Sequence, residues 1–447
     1  IVNEKIVENA TCTFCGCCCD DITLTVDMDK KVVTKAKDAC VLGKSWFLNH
    51  VIEDKPIARI AGKEVPLDDA IDEAAKILIE AKFPILYGMS DTICEAQRQC
   101  APIMDDCLGT IDTTTSVCHG PSGMAFQGVG EPSMTLGEVK NRADFVMYWG
   151  GNPAEAHPRH FARYAVTPEG MFTPNGKDDR TVVICDVRHT KTAGVADIFL
   201  QVKPGKDFEL LWMLRAACKG VEIPDNCKEI CGIDKETVTD LFEKMKNCTY
   251  GVIFFGMGLT MSRGRHFNSG ALMALATDLN EFTHFVAKPA RGHGNVTGAD
   301  NVVAWQTGYP FGVNFSRGHP RFNPGEFTTV DTLTRGEADA ALIIASDPVA
   351  NFPKPAIDHI TSDKCKLISI DTKNTPTSEA AHVSIQTSTY GINTGGTVYR
   401  MDDVPISLRP AFDSPFPSDL EVLTKLRKKV NKLAKKLNRP YATKKYI

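Results

Sequence analysis

The sequence predicts an α/β protein: two pseudo-repeated, doubly wound parallel-sheet units behind a small cysteine-rich N-terminal module. Three observations predict it. Short apolar runs alternate with amphipathic helical stretches, and the runs end in Gly-, Asn- or Asp-bearing loops, as strands of a parallel sheet do where ligands bind. The same succession of motifs occurs twice, and five of the sixteen cysteines fall within eight residues near the N-terminus.

At 447 residues the chain is too long for one small core. It is 43% apolar and 24% charged with a net charge of −4, which argues against a nucleic-acid or membrane-surface partner. No apolar run approaches the roughly 18 residues that span a bilayer. The opening IVNEKIVENA has neither a signal-peptide core nor twin arginines, so a cytoplasmic location is expected. A chain that begins at Ile1 rather than Met leaves room for a leader already removed.

Residues 1–60 read as a metal-organised module. Clustered cysteines in a large chain point to metal rather than to a disulfide framework. Cys12, Cys15 and Cys19 share one loop and Cys40 follows twenty residues on, with short strands expected at Ile22–Val26 and Lys31–Lys35. Four thiolates suit tetrahedral zinc or a [4Fe–4S] cluster, and three ligands from one loop with one distant fourth favour the cluster. Cys17 and Cys18 lie in the same loop and compete as ligands.

From Asp68 the pattern becomes α/β. Leu67–Lys82 places Ala70, Ala74, Ile77 and Leu78 at helical spacing. PILYG (84–88) reads as a buried strand and Glu95–Leu108 as a helix. The run Leu108–Thr115 then empties into Ser116-Val117-Cys118-His119-Gly120-Pro121, a turn presenting a thiol beside an imidazole. A thiolate is a soft metal ligand, and a protonated imidazole lowers the thiol pKa and supplies a proton. Read alone, such a cysteine is more often a small buried hydrophobe. Strands are next expected at Ala143–Trp149, ending in Gly150-Gly151-Asn152-Pro153, and at Thr181–Cys185, ending in Asp186-Val187-Arg188-His189-Thr190-Lys191-Thr192. Trp149, Trp305 and Tyr309 read as packing residues.

These signals recur in order. Ala143-Asp144, Asn152-Pro153 and Pro158 are echoed by Ala338-Asp339, Asp347-Pro348 and Pro353 at a constant offset. Asp186, Arg188, Thr190 and Thr192 are echoed by Asp371, Lys373, Thr375 and Thr377. Upstream, Ile85–Met89 resembles Ile253–Met257, and a small gap sets His119-Gly120 opposite His293-Gly294. Three echoes in one order predict two copies of one unit. An Asp at a strand's carboxyl end accepts from a ribose or base, and hydroxyls with open backbone N–H groups suit phosphate. Two copies would hold two nucleotide-bearing ligands, with Cys118 and Arg291 meeting between them. A single Asp-x-Arg-x-Thr is explained equally well by a capping Asp.

With these residues in hand the chain resembles the molybdopterin oxidoreductase superfamily and, within it, the B-type subunit family of formylmethanofuran dehydrogenase, the one that carries tungsten or molybdenum. The resemblance covers almost the whole chain. It rests on CTFCGCCCDD with Cys40, TTSVCHGPS, EVKNRADFVMYWGGNPAEAHPRH, FFGMGLTMSRG, ARGHGNVTG, ASDP and GGTVYRMDDVPI. It implies a [4Fe–4S] cluster on Cys12, Cys15, Cys19 and Cys40. It also implies Cys118 as direct ligand of a tungsten or molybdenum held by two pyranopterin (molybdopterin) guanine dinucleotides, with His119 and Arg291 lining the substrate position. The pterins would be held from Gly150, Asn152, Pro153, Asp186, Arg188, Thr190, Thr192, Gly256, Gly258, Ser262, Asp347, Asp371, Thr375, Thr377 and Thr397. The implied reaction reduces CO2 reversibly to formate, which a partner condenses with methanofuran. Arg291's fork would favour the bent, carboxylate-like transition state, and His119, titrating near neutrality, would move the accompanying proton.

Four domains follow: the iron–sulfur module 1–60, pterin-binding units 61–250 and 251–405, and a basic helical tail 406–447 with a helix at Leu420–Leu437. The superfamily's C-terminal β-barrel is absent after Asp402, so a small β-barrel subunit is expected to complete the pterin site. An amidohydrolase-like subunit and ferredoxin-like polyferredoxin subunits are the other implied partners. The tail's ten Lys and Arg after residue 420 fit an acidic neighbour or, more commonly, a solvated face. Lys44 follows the last cluster cysteine, where relatives place a lysine between cluster and pterin. His157 and His160 are read as phosphate contacts or as structural histidines, and His189 as stacking or capping. A stand-alone formate dehydrogenase chain and a non-catalytic iron–sulfur electron-transfer scaffold are the competing readings; the first would need the barrel, the second has no use for Cys118, His119 and Arg291.

Overall fold

The computed structural model describes residues 3–437 and 439. The chain forms two compact units, each discontinuous in sequence. Unit 1 takes the chain up to Val117, His293–Arg400 and the chain from Pro405; unit 2 takes Cys118–Gly292 and Met401–Val404. The consecutive blocks 61–250 and 251–405 differ from this division because strands pair with partners remote in sequence. Pro84–Gly88, for example, runs parallel to Ala340–Ile344. The chain passes between units at Val117/Cys118 and returns at Gly292/His293, so the two loops matched by the sequence echo are the two crossing points.

Unit 2 is built on five parallel strands in the order Ile198–Gln201, Thr181–Asp186, Phe145–Trp149, Tyr250–Phe255 and His284–Pro289. Phe145–Trp149 is buried throughout, which explains an unbroken apolar run where a one-sided strand would alternate. Unit 1 holds five parallel strands in the matching order Val383–Gln386, Lys366–Asp371, Ala340–Ile344, Pro84–Gly88 and Thr110–Thr113. Its sheet is extended by Ala58–Ile60 and Lys63–Glu64 on one side and by Val313–Asn314 and Arg321–Phe322 on the other, all antiparallel.

The echo is thus one topology used twice, down to individual side chains. Asp144 accepts from the backbone N–H groups of Thr249 and Tyr250 at 2.8 Å each. Asp339 accepts from Lys82 and Phe83 at 2.8 Å each. In both units one carboxylate ties off the start of the adjacent strand.

The N-terminal module lies in unit 1 as a three-stranded antiparallel sheet of Glu4–Ala10, Ile22–Asp27 and Val32–Lys37. Its first strand had no sequence signal, because only Val7 and Ala10 of that strand are buried. The helix expected over 95–108 is broken into Cys94–Gln97 and Cys100–Cys107 and ends on Leu108 in the left-handed region. Trp149 is buried, and its indole donates to Asp207 at 2.9 Å. Tyr309 stacks on Phe322. Trp305, expected to pack, is 61% exposed, with its ring edge against Tyr399.

The basic C-terminal helix spans Asp419–Lys436, opened by a Ser418/Glu421 capping box. Its buried stripe of Val422, Leu423, Leu426, Val430 and Ala434 seats it on Leu67–Glu80. Lys425 and Lys429 pair with Asp68 and Asp72 of that helix at 2.9 and 2.6 Å. The tail therefore finds acidic neighbours within its own chain; residues 438 and 440–447, with Lys444 and Lys445, lie outside the described residues. Among the described residues no helix is long and apolar enough to cross a membrane.

Candidate functional site

Thr110–Thr113 delivers the chain to the Cys118 loop, and two buried carboxylates fix that delivery from within unit 1. Asp300, on the helix Val296–Thr307, accepts from the hydroxyls of Thr113 and Thr115 at 2.7 Å each. Asp112 accepts from the backbone of Thr329 and Gly312 and from the Ser116 hydroxyl, at 2.8, 3.0 and 2.8 Å. Burial pushes the Asp112 carboxyl up to about 6. Neither carboxylate was singled out from sequence, because each acts on partners distant along the chain.

In unit 2, Cys118 is half-buried and precedes the helix Gly120–Val129. Its carbonyl accepts from the Thr260 hydroxyl at 3.3 Å. His119 is 1% exposed. Its ring bonds the Ala290 carbonyl and lies 3.2 Å from the Ser122 hydroxyl through Nδ1. Burial, and then the Arg291 charge, push the imidazole down to about 3. Against an expected pKa near neutrality, burial and the Arg291 charge both favour the neutral imidazole. In unit 2 its ring ties the Cys118 loop to the Arg291 loop.

The neighbouring carbonyl is held in the same way. His157 donates from Nε2 to the Arg291 carbonyl at 2.7 Å, and burial keeps this imidazole below its usual pKa. Two neutral imidazoles thus hold consecutive carbonyls of the segment that aims the Arg291 side chain, itself 6% exposed. His160 bonds the Tyr148 hydroxyl at 2.8 Å and packs edge-on against Phe254. Of the readings left open for these two histidines, the contacts favour the structural one.

The loops at the carboxyl ends of the strands carry the remaining candidates. In unit 2, Gly150 adopts φ +59°, and a Cβ on Gly256 or Gly258 would lie 2.5 or 2.7 Å from its carbonyl oxygen. Glycine lets these adjacent loops touch, with Gly258 N–H donating to Gly150 at 2.8 Å. Asn152 Oδ1 accepts from the Thr192 hydroxyl at 2.6 Å, and that hydroxyl accepts from Ala154 N–H at 3.2 Å. In unit 1, Asp347 Oδ1 accepts from the Thr377 hydroxyl at 2.6 Å, and that hydroxyl accepts from Val349 N–H at 3.1 Å. Thr192 and Thr377 are fully buried, so these hydroxyls, expected on phosphate, latch the Asn-Pro and Asp-Pro loops; Pro153 and Pro348 open the short helices there.

Several other hydroxyls are likewise engaged by the chain itself. Thr375 caps the helix Pro376–Ala380, Thr397 donates to Glu95 at 2.8 Å, and Ser262 donates to the Leu259 carbonyl at 2.8 Å. Thr190 is different: its hydroxyl is buried without a hydrogen-bond partner, beside exposed Arg188 and His189. Asp186 and Asp371 end equivalent strands. Burial pushes the Asp371 carboxyl up to about 7, against the backbone N–H groups of Lys373 and Thr372. In unit 2 an orphaned hydroxyl and, in unit 1, a half-buried acid at a strand end are the kinds of groups that take a nucleotide's phosphate and base.

Within unit 1, the loop Cys12–Cys19 closes through Cys12 N–H to the Cys19 carbonyl at 2.8 Å. Cys40 caps the helix Val41–Leu48. A Cβ on Gly43 would lie 3.1 Å from the Cys12 sulfur and 3.8 Å from that of Cys40. Cys12 also lies within Coulombic range of Cys15, Cys19 and Cys40, and burial, more than these neighbours, raises its pKa. The Cys18 thiol donates to the Gly294 carbonyl at 2.8 Å and also lies within Coulombic range of Cys12, Cys15 and Cys19, so it stays in competition as a ligand. A hydrogen bond from Cys17 holds the Cys15 thiol below its ordinary pKa. Among the described residues no group of three or more His, Cys, Asp or Glu is arranged as a ready site for a single metal ion. Cys12 thus has three other soft donors within range, the donor type that iron–sulfur clusters use. Lys44 lies on the exposed side of its helix.

No family model matches the chain. It is 44% identical over 96% of its length to the B-type subunit of the tungsten-containing formylmethanofuran dehydrogenase 2 of Methanocaldococcus jannaschii, 99% of which is covered. It is 42% identical, again over 96% of its length, to the same-named protein of Methanococcus maripaludis, which is covered entirely. Among solved structures, acetylene hydratase from Pelobacter acetylenicus matches with a TM-score of 0.73 at 13% identity, covering 98% of this chain and 71% of that one. That likeness shows the fold, an α/β architecture with parallel sheets. The cysteine-rich start, the Cys118 and Arg291 loops and the duplicated strand-end latches all lie on a chain that matches those two subunits along nearly its whole length, and the protein belongs to the B-type subunit family of formylmethanofuran dehydrogenase.

Proposed function

We propose that this chain is the catalytic, oxidoreductase subunit of a formylmethanofuran dehydrogenase that interconverts CO2 and formate. The observation that carries the reading is local: in unit 2 the Cys118 loop is tied by His119 to the segment bearing Arg291. A soft ligand and a fixed cation on joined loops suit a metal-centred reaction whose product is a small carboxylate.

Cys118, in unit 2, would be the protein ligand of a pterin-bound tungsten or molybdenum; tungsten is favoured because the relatives from Methanocaldococcus and Methanococcus are tungsten-containing. Cys12, Cys15, Cys19 and Cys40 would hold a [4Fe–4S] cluster. When bound, these groups supply two-electron redox chemistry at the metal and one-electron transfer at the cluster. The chain's own residues then do three things. Arg291's planar fork accepts the carboxylate charge that grows as linear CO2 becomes bent formate, favouring the transition state over the ground state. His119, neutral and bonded at Ala290, fixes the Cys118 loop against that fork. Burial of both side chains keeps water from screening the charge.

A small β-barrel subunit completing the pterin site, an amidohydrolase-like subunit receiving formate and ferredoxin-like subunits delivering electrons are the partners this reading calls for. Metal analysis with a Cys118→Ala variant tests it. The wild type should contain iron with tungsten or molybdenum and interconvert CO2 and formate, and C118A should lose that chemistry while keeping its iron–sulfur absorbance. A C118A protein with undiminished turnover would remove the assignment.

A further inference from the structure

A second buried cation lies on the strand leading to Arg291. Lys288, 3% exposed in its side chain, is the penultimate residue of the strand His284–Pro289 that leads to the Arg291 loop. Its ammonium lies 2.7 Å from Asp403, 3.6 Å from Glu131 and 3.0 Å from the Ser133 hydroxyl. The Glu131–Ser133 segment is tied to the same strand by Ala287 N–H donating to Pro132 at 2.8 Å. Glu131 Oε2 faces Lys288, whereas Oε1 is buried with no hydrogen-bond partner. The charged groups acting on Glu131 are Lys288 and Arg291 from the strand and its loop, and Asp403 from the segment Met401–Val404. Adjacent Asp402 is engaged by Leu136 N–H at 2.6 Å. Two cations and two carboxylates balance while Glu131 is ionised.

We propose that Glu131 is a charge-compensating positioning residue for Arg291, taking up one proton when an anion binds there. The proposal rests on the reading above, in which that anion is formate. The step is a balanced equilibrium: protein with ionised Glu131, plus formate, plus one proton, gives protein with neutral Glu131 and bound formate. An anion at Arg291 withdraws part of the positive charge that stabilises the Glu131 carboxylate, and a half-buried acid with one buried, unsatisfied oxygen takes the proton readily. Burial already raises this carboxyl, with Lys288 opposing. Linkage then requires formate to bind more weakly as pH rises.

The test uses the holoenzyme and two variants. In the wild type the KM for formate should rise about tenfold per pH unit once Glu131 is ionised in the free enzyme. In Glu131→Gln, which mimics the neutral acid, KM should be low and flat with pH. In Asp403→Asn the rise should begin at lower pH, because a neighbouring negative charge is gone. Calorimetry of formate binding in buffers of different ionisation heat should count about one proton taken up by the wild type and none by E131Q. A flat wild-type KM, an E131Q slope equal to wild type, or no proton uptake would each overturn the proposal. A holoenzyme that binds formate with proton uptake yet does not interconvert it with CO2 would remove the functional reading and leave the Glu131 linkage standing.

Discussion

His157 Nε2 lies 2.7 Å from the carbonyl oxygen of Arg291. The bond joins the loop after Phe145–Trp149 to the segment carrying the guanidinium, and burial keeps the imidazole neutral and donating. Replacing His157 with Phe leaves a buried carbonyl without its donor, at a cost of about 1–3 kcal/mol. Arg291 then samples more orientations, and the KM for formate should rise about tenfold or more with the metal content unchanged. His157→Gln, which retains an N–H, should recover part of the loss. Equal KM values for H157F and wild type would show that Arg291 is held by other contacts.

The cysteine module should depend on a glycine far from any cysteine in sequence. A Cβ on Gly294 would overlap the Thr13 carbonyl and lie 2.5 Å from the Tyr390 hydroxyl, and that hydroxyl donates to the same carbonyl at 2.8 Å. The Cys18 thiol also reaches the Gly294 carbonyl. Gly294→Ala should therefore displace the Cys12–Cys19 loop and lower iron and acid-labile sulfide per chain well below wild type. Full iron occupancy in G294A would mean that the loop yields without losing its ligand geometry.

How much of this was legible follows from the range of each interaction. The duplicated unit could be read because Asp144 and Asp339, Asn152 and Asp347, and Thr192 and Thr377 keep their chemistry in the same order along the chain. What those threonines do could not be read, since a hydroxyl that latches a loop and one that binds phosphate look alike in sequence. The state of His119 was misjudged because its pKa is set by burial and by Arg291, neither of which is adjacent in the chain. The two-unit division was hidden for the same reason: strand pairing joins segments from opposite ends of the sequence. Asp112, Asp300, Glu131 and Lys288 carried no motif, and only their buried partners mark them.

Asp112 gives a stability prediction with a definite sign. Its carboxyl is raised from 3.8 to about 6, chiefly by burial. The folded pKa exceeds the unfolded one, so ionised Asp112 destabilises the fold above pH 6, and that penalty is relieved as pH falls towards 4. The shift corresponds to about 3 kcal/mol as an order of magnitude. Asn at this position cannot titrate. The stability difference between wild type and Asp112→Asn, followed by denaturant unfolding, should move in favour of wild type between pH 7 and 4 and be flat above pH 7. A difference that does not vary with pH would show that Asp112 titrates normally.

The two loop latches look interchangeable but carry different charges, which separates them experimentally. Asp347 uses Oδ1 for both the N–H and the hydroxyl of Thr377, at 3.0 and 2.6 Å. Asn at 347 keeps that oxygen, so Asp347→Asn should alter stability by less than about 0.5 kcal/mol. Asn152 uses Oδ1 for Thr192 but also donates from Nδ2 to Glu155 at 2.6 Å. Asp at 152 replaces that donor with a second carboxylate facing Glu155, losing one bond and adding like-charge repulsion. Asn152→Asp should cost about 1–2 kcal/mol. The double variant Asn152→Asp/Glu155→Gln should recover most of it, because Gln again offers a donor. If D347N and N152D prove equally harmful, the Glu155 contact does not distinguish the two latches.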